Sequence, residues 1–390
     1  MGNVPHLRFP EFSGEWKKCK LGDLCNVLMC KRILVSQTNT EDGVPFYKIG
    51  TIGSTPDAYI SKELFDDYKV KYNYPRKGEV MITCAGTVGK CVVYDGEDAY
   101  FQDSNIVWID NPTQYISNGF LFHLLSKVDW RKLNSTTIIR IYNDDLRNLK
   151  MSYPRKEEQQ KISHLLSLLD ERIATQNKII YKLKSLIRGI MVELQKRGLS
   201  NGTWKKVLLS NVLTERNELN KSLYPVYSVS VIQGIVNQME YLGRSFAASD
   251  TSKYHVVHYG DLVYTKSPTG SFPYGIIKQS YNQNEVAVSP LYGVYEPKTF
   301  STGVFLHEYF KSELNTLNYL HPLVQKGAKN TINIANQRFL ESYVAIPMNA
   351  NELLAISKLL CSLNTKLEFL QNILKQSQGQ KQYLLRQMFI

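Results

Sequence analysis

Residues 162–194 read ISHLLSLLDERIATQNKIIYKLKSLIRGIMVEL, and this stretch decides how the chain is organised. Apolar residues recur in it at alternating spacings of four and three, which is the heptad pattern of a coiled-coil helix. The positions on this seam are Ile162, Leu166, Leu169, Ile173, Gln176, Ile180, Leu183, Ile187, Ile190 and Leu194. Nine of these ten residues are apolar, so the stretch predicts one long helix with a single apolar seam.

A second stretch, residues 356–388, repeats the seam at an offset of 194 residues. Its positions are Ile356, Leu360, Leu363, Leu367, Leu370, Leu374, Ser377, Lys381, Leu384 and Met388, of which eight are apolar. Each seam spans 33 residues, and at ~1.5 Å per residue this length predicts a helix of about 50 Å. A single amphipathic helix can lie on its own domain, but two matched copies favour a pair of helices.

The sequence before each long helix is also repeated, with offsets of 188, 182 and 193 residues. The matched segments are Trp16–Leu24 with Trp204–Val212, Lys77–Met81 with Tyr259–Val263, and Ile141–Leu146 with Ile334–Phe339. Each middle segment precedes a glycine-containing loop, Ala85–Lys90 in the first copy and Ser267–Ser271 in the second. Because the offset drifts, the chain is interpreted as two diverged copies of one unit with insertions in loops.

Each copy mixes strand and helix patterns, which predicts an α+β fold of two similar domains and two long helices. Strands are predicted at Glu79–Thr83, Val92–Tyr94, Asn105–Ile109, Asp261–Tyr264, Gly275–Ile277 and Leu291–Tyr295, and short helices at Phe120–Leu125 and Val304–Phe310. The predicted division is residues 1–153 for the first domain, 154–200 for the first long helix, 201–346 for the second domain and 347–390 for the second helix. Arg197–Gly202, which has two glycines and no periodicity, is the predicted linker.

The composition is that of a folded protein with excess positive charge. Lys plus Arg outnumber Asp plus Glu by 47 to 35, and the formal net charge of +12 favours a polyanionic partner. The first residues lack the apolar region of a signal peptide, and no apolar run approaches the ~18 residues of a membrane span, so a cytoplasmic protein is expected. Six cysteines, at positions 19, 25, 30, 84, 91 and 361, have no CxxC spacing. They are expected to be reduced thiols, mostly buried.

The sequence carries no recognised catalytic or metal-binding motif. Ala85–Lys90 does not form a P-loop, because Cys84 occupies the place of the first glycine. The sequence also lacks HExxH, GxSxG, GxGxxG and the tetrapeptide with which amino-methyltransferases hold a flipped adenine. The seven histidines are scattered, and His255 with His258 is better explained as a strand or turn pair than as a ligand pair. We therefore expect no catalytic residue, no metal and no cofactor in this chain.

The candidate DNA-binding residues have basic, amide or hydroxyl side chains, which bind phosphates and base edges. In the first copy they are Lys48, Arg76, Thr87, Lys90, Gln102, Asn105, Arg140 and Asn143. In the second copy they are Lys266, Thr269, Lys278, Lys326, Lys329 and Asn330. The glycine loops are the favoured part of this set, because a glycine-rich turn with Thr and Lys brings N–H groups and an ammonium close to a phosphate. Any one of the other residues is more often an ordinary surface residue.

These motifs together resemble the specificity (S) subunit of type I restriction-modification systems. The resemblance spans nearly the whole chain and rests on Pro5–Phe12, Gly14–Trp16, Leu21–Leu24, Gly86–Lys90, Asn143–Leu149, and Pro154 through Glu158–Ile162 with the heptads that follow. The proline, the Glu158–Gln159 pair and the heptads are its most specific part. The second copy departs from this pattern, because Asn351–Leu354 replaces the Glu-Gln pair and Ser267–Phe272 replaces the glycine loop.

The resemblance implies two α+β target-recognition domains, each of which reads one half of a split site in double-stranded DNA. It further implies two long antiparallel coiled-coil helices that separate these domains, related by an internal pseudo-two-fold repeat. Two methyltransferase (M) subunits would dock on the helical regions, and motor-nuclease (R) subunits would join that core. The chain itself would be a non-catalytic recognition subunit.

Two other classes of function remain open from the sequence. One is a coiled-coil scaffold that binds only protein, which predicts weak association with DNA that does not depend on salt. The other is an enzyme with an unrecognised site, such as a nuclease formed by Glu79, Lys90 and Asp103. That alternative predicts metal-dependent turnover by the isolated chain.

Overall fold

The computed structural model describes residues 2–132, 140–244, 247–326 and 332–390. The chain divides into two units, of which the first comprises Met1–Gln176 with Ile373–Ile390 and the second Asn177–Asn372. Both units combine α-helices with short strands, which confirms the predicted α+β class. Within the described ranges, no helix has the combination of length and hydropathy that a membrane span requires.

The first unit is built around a four-stranded antiparallel sheet. Its elements in chain order are β1 (Lys17–Lys20), β2 (Asn26–Leu28), β3 (Val44–Tyr47), β4 (Tyr59–Ile60), α1 (Lys62–Lys71), β5 (Val80–Thr83), β6 (Cys91–Val93), β7 (Tyr100–Phe101), β8 (Ile106–Asp110), α2 (Asn118–Lys127), α3 (Asn143–Arg147), β9 (Lys150–Tyr153) and the first part of α4 (Lys156–Ser200). The sheet has the order β2-β8-β5-β6, and a smaller sheet has the order β4-β3-β7. Strands β1 and β9 form a separate antiparallel ribbon that leads into α4.

The second unit repeats this arrangement with different peripheral elements. Its elements are the last part of α4 and, in chain order, β10 (Trp204–Leu208), β11 (Leu213–Glu215), β12 (Tyr227–Ser230), β13 (Gly234–Asn237), α5 (Gln238–Leu242), β14 (His255–Val257), β15 (Leu262–Tyr264), β16 (Ile277–Gln279), β17 (Val286–Val288), β18 (Gly293–Pro297), α6 (Phe300–Tyr309), α7 (Glu313–Leu320), β19 (Gln325–Lys326), β20 (Ile332–Asn333), α8 (Asn336–Phe339), β21 (Tyr343–Pro347) and the first part of α9 (Ala350–Gln387). The central sheet has the order β11-β18-β15-β16, and β10 pairs with β21 as β1 pairs with β9. The same strand order in both units confirms the internal repeat.

Each unit places an aromatic core between its sheet and its long helices, where burial of apolar surface supplies most of the stability. In the first unit, the ring of Phe120 in α2 lies 5.8 Å from that of Trp16 and 4.8 Å from that of Phe389. In the second unit, Trp204 and Phe305 of α6 lie 5.4 Å apart. The tryptophan at the start of each copy, Trp16 just before β1 and Trp204 as the first residue of β10, is therefore a core residue in both units.

The seam predicted from the heptads is the least exposed face of both long helices. Ile162, Leu166, Leu169, Ile180, Leu183, Ile356 and Leu360 are buried, and Ile173, Leu363, Leu367, Leu370 and Leu374 are half-buried. Within the first unit, Lys381 of α9 binds Asp170 of α4 at 2.5 Å. Within the second unit, Leu183 of α4 and Leu360 of α9 belong to one core. Within the first unit, Ile162 and Leu166 share a core with Leu385 and Met388, and Asp170 pairs with Lys381, so the two helices are antiparallel there.

The predicted linker Arg197–Gly202 is wrong for most of its length, because α4 continues to Ser200. A glycine inside a helix is usually unfavourable by about 1 kcal/mol relative to alanine, which is why Gly198 suggested a break. Here a Cβ on Gly198 would lie 2.2 Å from Cδ1 of Trp204, so the glycine makes room for the indole against the helix. The connection between α4 and β10 is limited to residues 201–203.

The six cysteines are free thiols. Cys25, Cys30 and Cys84 are buried, and the other three are half-buried. Burial raises the pKa of all six thiols, which keeps them protonated near neutral pH. The thiols therefore act as apolar packing groups of the two units.

Candidate nucleic-acid interface

The first glycine loop, Cys84–Gly89, connects β5 to β6 and is closed by Thr83. The Thr83 hydroxyl donates to the carbonyl of Thr87 and accepts the N–H of Lys90 at 3.0 Å. The Thr83 backbone adds two bonds, because its N–H donates to the Lys90 carbonyl at 3.0 Å and its carbonyl accepts the N–H of Gly89 at 2.8 Å. The loop is therefore closed at its base and leaves Thr87 exposed.

Two glycines of this loop lie against side chains from other segments. Gly89 has φ +81°, and a Cβ there would lie 2.2 Å from Cδ1 of Trp130. Gly86 has φ +65°, and a Cβ there would lie 2.8 Å from Cδ1 of Ile49. Only glycine combines a positive φ with such close approaches at low cost. The loop is thus held between Trp130 and Ile49.

The Lys48–Ser54 turn, which follows β3, lies beside the glycine loop and is tied to it by side chains. The ammonium of Lys90 donates to the carbonyl of Ile52 at 2.5 Å. The side-chain oxygen of Gln102 accepts the N–H of Ile49 at 3.3 Å. Two residues predicted to contact DNA therefore bind this turn.

The segment between β7 and β8 completes the same edge of the unit. The N–H of Cys84 donates to the carbonyl of Asn105 at 2.8 Å, and the N–H of Ile141 donates to the carbonyl of Cys84 at 2.9 Å. Arg140, which precedes Ile141, donates to the carbonyl of Ser104 at 3.5 Å. The backbone thus brings three separate segments of the chain together at the end of β5.

Most of the residues predicted in the first unit lie at this edge, namely Thr87, Lys90, Gln102, Asn105 and Arg140. Lys48 lies on the adjoining turn, where its ammonium pairs with Asp57 at 2.8 Å. Asn143 is the first residue of α3, which follows the Arg140 segment. The sequence therefore identified a set of residues that the fold largely assembles.

Arg76 lies away from this edge, before the opposite end of β5. Its guanidinium binds Glu79 at 2.9 Å and Asp110, the last residue of β8, at 2.5 Å. β5 spans ~10 Å at ~3.3 Å per residue, so Arg76 is separated from the glycine loop at Thr83. Glu79 is only 3% exposed, and its charge is compensated by Arg76.

The nuclease alternative requires Glu79, Lys90 and Asp103 to lie together. Glu79 precedes β5 and Lys90 follows the loop after it, so the strand keeps these two residues apart. Asp103, on the loop side, lies 3.8 Å from Arg32. Within the described ranges, no three His, Cys, Asp or Glu residues are grouped so that they could hold a metal ion.

The second unit has a longer loop, Lys266–Gly275, on the corresponding strands β15 and β16. Thr265 closes this loop as Thr83 closes the first, because its hydroxyl accepts the N–H of Ile276 at 3.1 Å. The loop exceeds Cys84–Gly89 by four residues. The frame of the loop is therefore conserved between the units while its length and sequence differ.

The longer loop is tied within its own unit. Thr269 and Phe272 exchange two backbone hydrogen bonds of 3.0 Å. The Ser271 hydroxyl donates to Glu313 at 2.5 Å, and a tyrosine hydroxyl from β15 donates to the carbonyl of Tyr274 at 2.7 Å. Thr269, the predicted contact, is half-buried and is the fourth of the ten residues of the loop.

The lysines predicted in the second unit have different surroundings. Lys266 is half-buried with φ +60°, and burial lowers the pKa of its ammonium, while Glu215 acts in the opposite direction. Lys278 is only 7% exposed in β16, and burial lowers its pKa to about 8. Lys278 therefore lies inside the unit. Lys326 ends β19, and Lys329 and Asn330 lie outside the described residues.

A pair of contacts that the sequence analysis missed attaches each unit to its long helix. The indole N–H of Trp16 donates to Glu158 at 3.3 Å, and that of Trp204 donates to Glu352 at 2.7 Å. Arg8 adds two hydrogen bonds of 2.8 Å to Glu158. The two glutamates are 194 residues apart, which is the offset of the seam, so the sequence did contain the signal.

This chain is similar to several proteins that are described as type I restriction-modification specificity proteins. Residues 13–185 match the family described as "Type I restriction modification DNA specificity domain". A Haemophilus influenzae protein, named as a candidate type I restriction enzyme specificity subunit, is 50% identical over 155 residues, which are 40% of each chain. A Methanocaldococcus jannaschii protein, named as a candidate type I restriction enzyme MjaX specificity subunit, is 24% identical over 210 residues. The 210 matched residues are 50% of this chain and 49% of the M. jannaschii protein. This chain therefore spans about half or less of the length of both relatives.

A solved structure is similar over the whole chain. The crystal structure of the S subunit of a type I restriction-modification system from M. genitalium covers 99% of both chains with a TM-score of 0.65. The two sequences are 14% identical, so this similarity concerns the fold. It extends over both units and both long helices.

Proposed function

We propose, because residues 13–185 match the family described as "Type I restriction modification DNA specificity domain", that this chain reads a split site in double-stranded DNA. The observation that carries this proposal is that the same strand order and the same closure of a loop by threonine occur in both units. The sheet order β2-β8-β5-β6 recurs as β11-β18-β15-β16, and in each copy a threonine, Thr83 or Thr265, closes the loop at the same strand end. Two similar edges suit the two halves of one interrupted site.

Within the first unit, the edge formed by the glycine loop and its neighbours has the chemistry for both kinds of DNA contact. The exposed Thr87 and the loop backbone suit a phosphate, because hydroxyl and N–H groups both donate to its oxygens. Asn105 and Arg140 suit base edges, because amide and guanidinium groups form paired hydrogen bonds with adenine and guanine. In the second unit, Lys266 and Thr269 on the longer loop would make the corresponding contacts with DNA.

The remaining parts of the proposal concern organisation and partners. Residues 1–153 and 201–346 would serve as the two recognition domains, and residues 154–200 and 347–390 as the spacer helices. The helices would dock two M subunits, and R subunits would join that complex. The chain would act in the cytoplasm without a catalytic group of its own, since methyl transfer and cleavage belong to the other subunits.

Methylome sequencing tests the proposal directly. The chain is expressed with its methyltransferase subunits in a host without DNA methylation, and a Thr269→Ala variant is expressed in parallel. The wild type should produce one bipartite methylated motif with an unread gap. The variant should relax one half of that motif and leave the other half unchanged, because the loop belongs to one unit. Absence of any bipartite motif, with DNA binding that does not respond to salt, would favour the scaffold alternative.

A further inference from the structure

We propose that the Lys48–Ser54 turn is a further segment of the first unit that contacts DNA, beside the glycine loop, and that Lys90 and Gln102 are positioning residues for it. The inference rests on the proposed DNA recognition and adds this turn to the edge through which the first unit achieves it. It assigns Lys90 and Gln102, which were expected to touch DNA themselves, to a different task.

The contact of Lys90 is directed into the unit. Its ammonium donates to the carbonyl of Ile52 at 2.5 Å, and a Cβ placed on Gly53 would lie 3.6 Å from the same nitrogen. The Lys90 N–H is simultaneously fixed by Thr83 at 3.0 Å. Both ends of this half-buried residue are therefore held, and its charge is placed against the turn.

Gln102 fixes the other end of the turn. Its side-chain oxygen accepts the N–H of Ile49 at 3.3 Å, while its own N–H donates to the carbonyl of Tyr47 at 2.9 Å. Ile49 also lies against the glycine loop at Gly86. The turn is thus bound at Ile49 by Gln102 and at Ile52 by Lys90, so its position depends on both residues.

The turn itself presents groups that bind nucleic acid. It is closed internally, because the N–H groups of Thr51 and Ile52 donate to the carbonyl of Lys48 at 3.0 and 2.9 Å. Gly50 and Gly53 are exposed, and Gly53 has φ +69°. Exposed glycines allow a phosphate or a base edge to approach the backbone closely. The ammonium of Lys48 also lies on this surface, where its partner is the exposed carboxylate of Asp57 at 2.8 Å, and a phosphate would compete with Asp57 for it.

The second unit provides an internal comparison. The residue that corresponds to Lys90 there is Ile276, since its N–H is bound by Thr265 in the same way. An isoleucine has no ammonium with which to hold a neighbouring turn. The positioning device therefore belongs to the first unit, and its removal should affect only one half of the DNA site.

The test compares Lys90→Met with Lys48→Met in the full chain bound to its methyltransferase subunits. Each variant removes one positive charge and keeps most of the aliphatic stem. Affinity is measured for a cognate duplex and for a duplex with the first half-site replaced, each as a function of salt. Lys48→Met should lower the salt slope by about 0.9, because it removes one phosphate contact. Lys90→Met should leave the slope unchanged and reduce discrimination between the duplexes about tenfold.

Two further variants test whether Lys90 and Gln102 act through the same turn. Gln102→Met should also reduce discrimination, and the double variant Lys90→Met with Gln102→Met should lose little more than either single variant, because both act through one turn. Additive losses would overturn the inference, as would a slope reduced by about 0.9 in Lys90→Met. Unchanged discrimination in Lys90→Met, with a native melting temperature, would overturn it as well. A wild-type complex without salt-dependent binding would instead contradict the proposed function.

Discussion

In the first unit Glu158 accepts the indole N–H of Trp16 and binds Arg8 through two hydrogen bonds, whereas in the second unit Glu352 accepts the indole N–H of Trp204. Within the described ranges, Glu352 forms no ion pair. The same attachment of unit to helix is thus made once with a charge pair between the half-buried Arg8 and the buried Glu158, and once with a single hydrogen bond. This difference shows that the frame depends on the tryptophan and the glutamate, while the surrounding polar groups have diverged.

The loops show the same division between a shared frame and diverged contacts. Thr83 and Thr265 close their loops by the same hydrogen bond to a backbone N–H. Beyond that bond, the first unit uses the ammonium of Lys90 to hold a neighbouring turn, and the second ties its longer loop to Glu313 through Ser271. Contacts present in both units maintain the fold, so under the proposed function the contacts present in only one unit would determine which DNA sequence is read.

The largest expected effect follows from the charge pair at the first attachment. Glu158→Gln should lower the free energy of unfolding of the first unit by about 2 to 4 kcal/mol, because Arg8 loses its anionic partner next to a side chain that is 1% exposed. Glu352→Gln should cost about 1 kcal/mol or less, since an amide oxygen still accepts the indole N–H. Hydrogen exchange, which reports on each unit separately, measures both effects.

Arg8→Met provides the control for that prediction. It should destabilise the first unit by a similar amount, and Arg8→Met combined with Glu158→Gln should cost clearly less than the sum of the two single changes. Equal losses for Glu158→Gln and Glu352→Gln would show that the ion pair does not distinguish the two attachments.

The sequence predicted the repeat, the seams and six of the eight strands of the two central sheets, because these depend on patterns along the chain. The missed contacts depend on pairs far apart in sequence. Nothing near Arg8 indicates that it will bind Glu158, and the carbonyl of Ile52, which holds Lys90, has no sequence signature. Glu352 was interpreted as a departure from the Glu-Gln pair, although its offset from Glu158 equals that of the seam. The predicted residues therefore include segments that the fold brings together, whereas the hydrogen bonds of the individual residues could not be predicted.

The second prediction concerns His123, which is buried in the first unit beside Asp170 at 3.9 Å. Burial lowers the pKa of this imidazole to about 4, with Asp170 opposing the shift and Lys381 adding to it. Because the folded pKa lies below the ordinary value of about 6.5, the unfolded chain binds more protons between these two pH values. The stability of the first unit should therefore fall by up to about 3 kcal/mol as the pH drops from 6.5 to 4.

Denaturation of the full chain across this pH range measures the effect. His123→Leu should flatten the pH dependence of the first unit, and His164→Leu, at an exposed position, should leave it as it is. If the wild type and His123→Leu show the same slope in the first unit, His123 does not contribute to it.

The third prediction concerns the buried cation of the second unit. Burial lowers the pKa of Lys278 to about 8, Lys311 adds to the shift, and Glu308 opposes it. The unfolded chain binds more protons between pH 8 and about 10.5, so the stability of the second unit should rise with pH over that window. Lys278→Met should remove this rise and stabilise the second unit by about 2 kcal/mol at pH 7.

The exposed Lys298 provides a matched control, since Lys298→Met removes the same charge from the surface of that unit. It should change the stability by less than about 0.5 kcal/mol. Loss of stability in Lys278→Met at pH 7 would mean that its ammonium is bound favourably within the unit.

The smallest expected effect tests the contact that both loops share. Thr83→Val and Thr265→Val keep the side-chain shape and remove the hydroxyl, so a backbone N–H, of Lys90 or Ile276, loses its acceptor. Each change should cost about 1 to 2 kcal/mol, with the larger loss for Thr83, whose hydroxyl also donates to Thr87. Hydrogen exchange should show faster exchange of the Lys90 N–H in one variant and of the Ile276 N–H in the other. Because each loop belongs to one unit, each variant should relax a different half of the methylated motif. If both variants relax the same half, the two loops do not read separate half-sites.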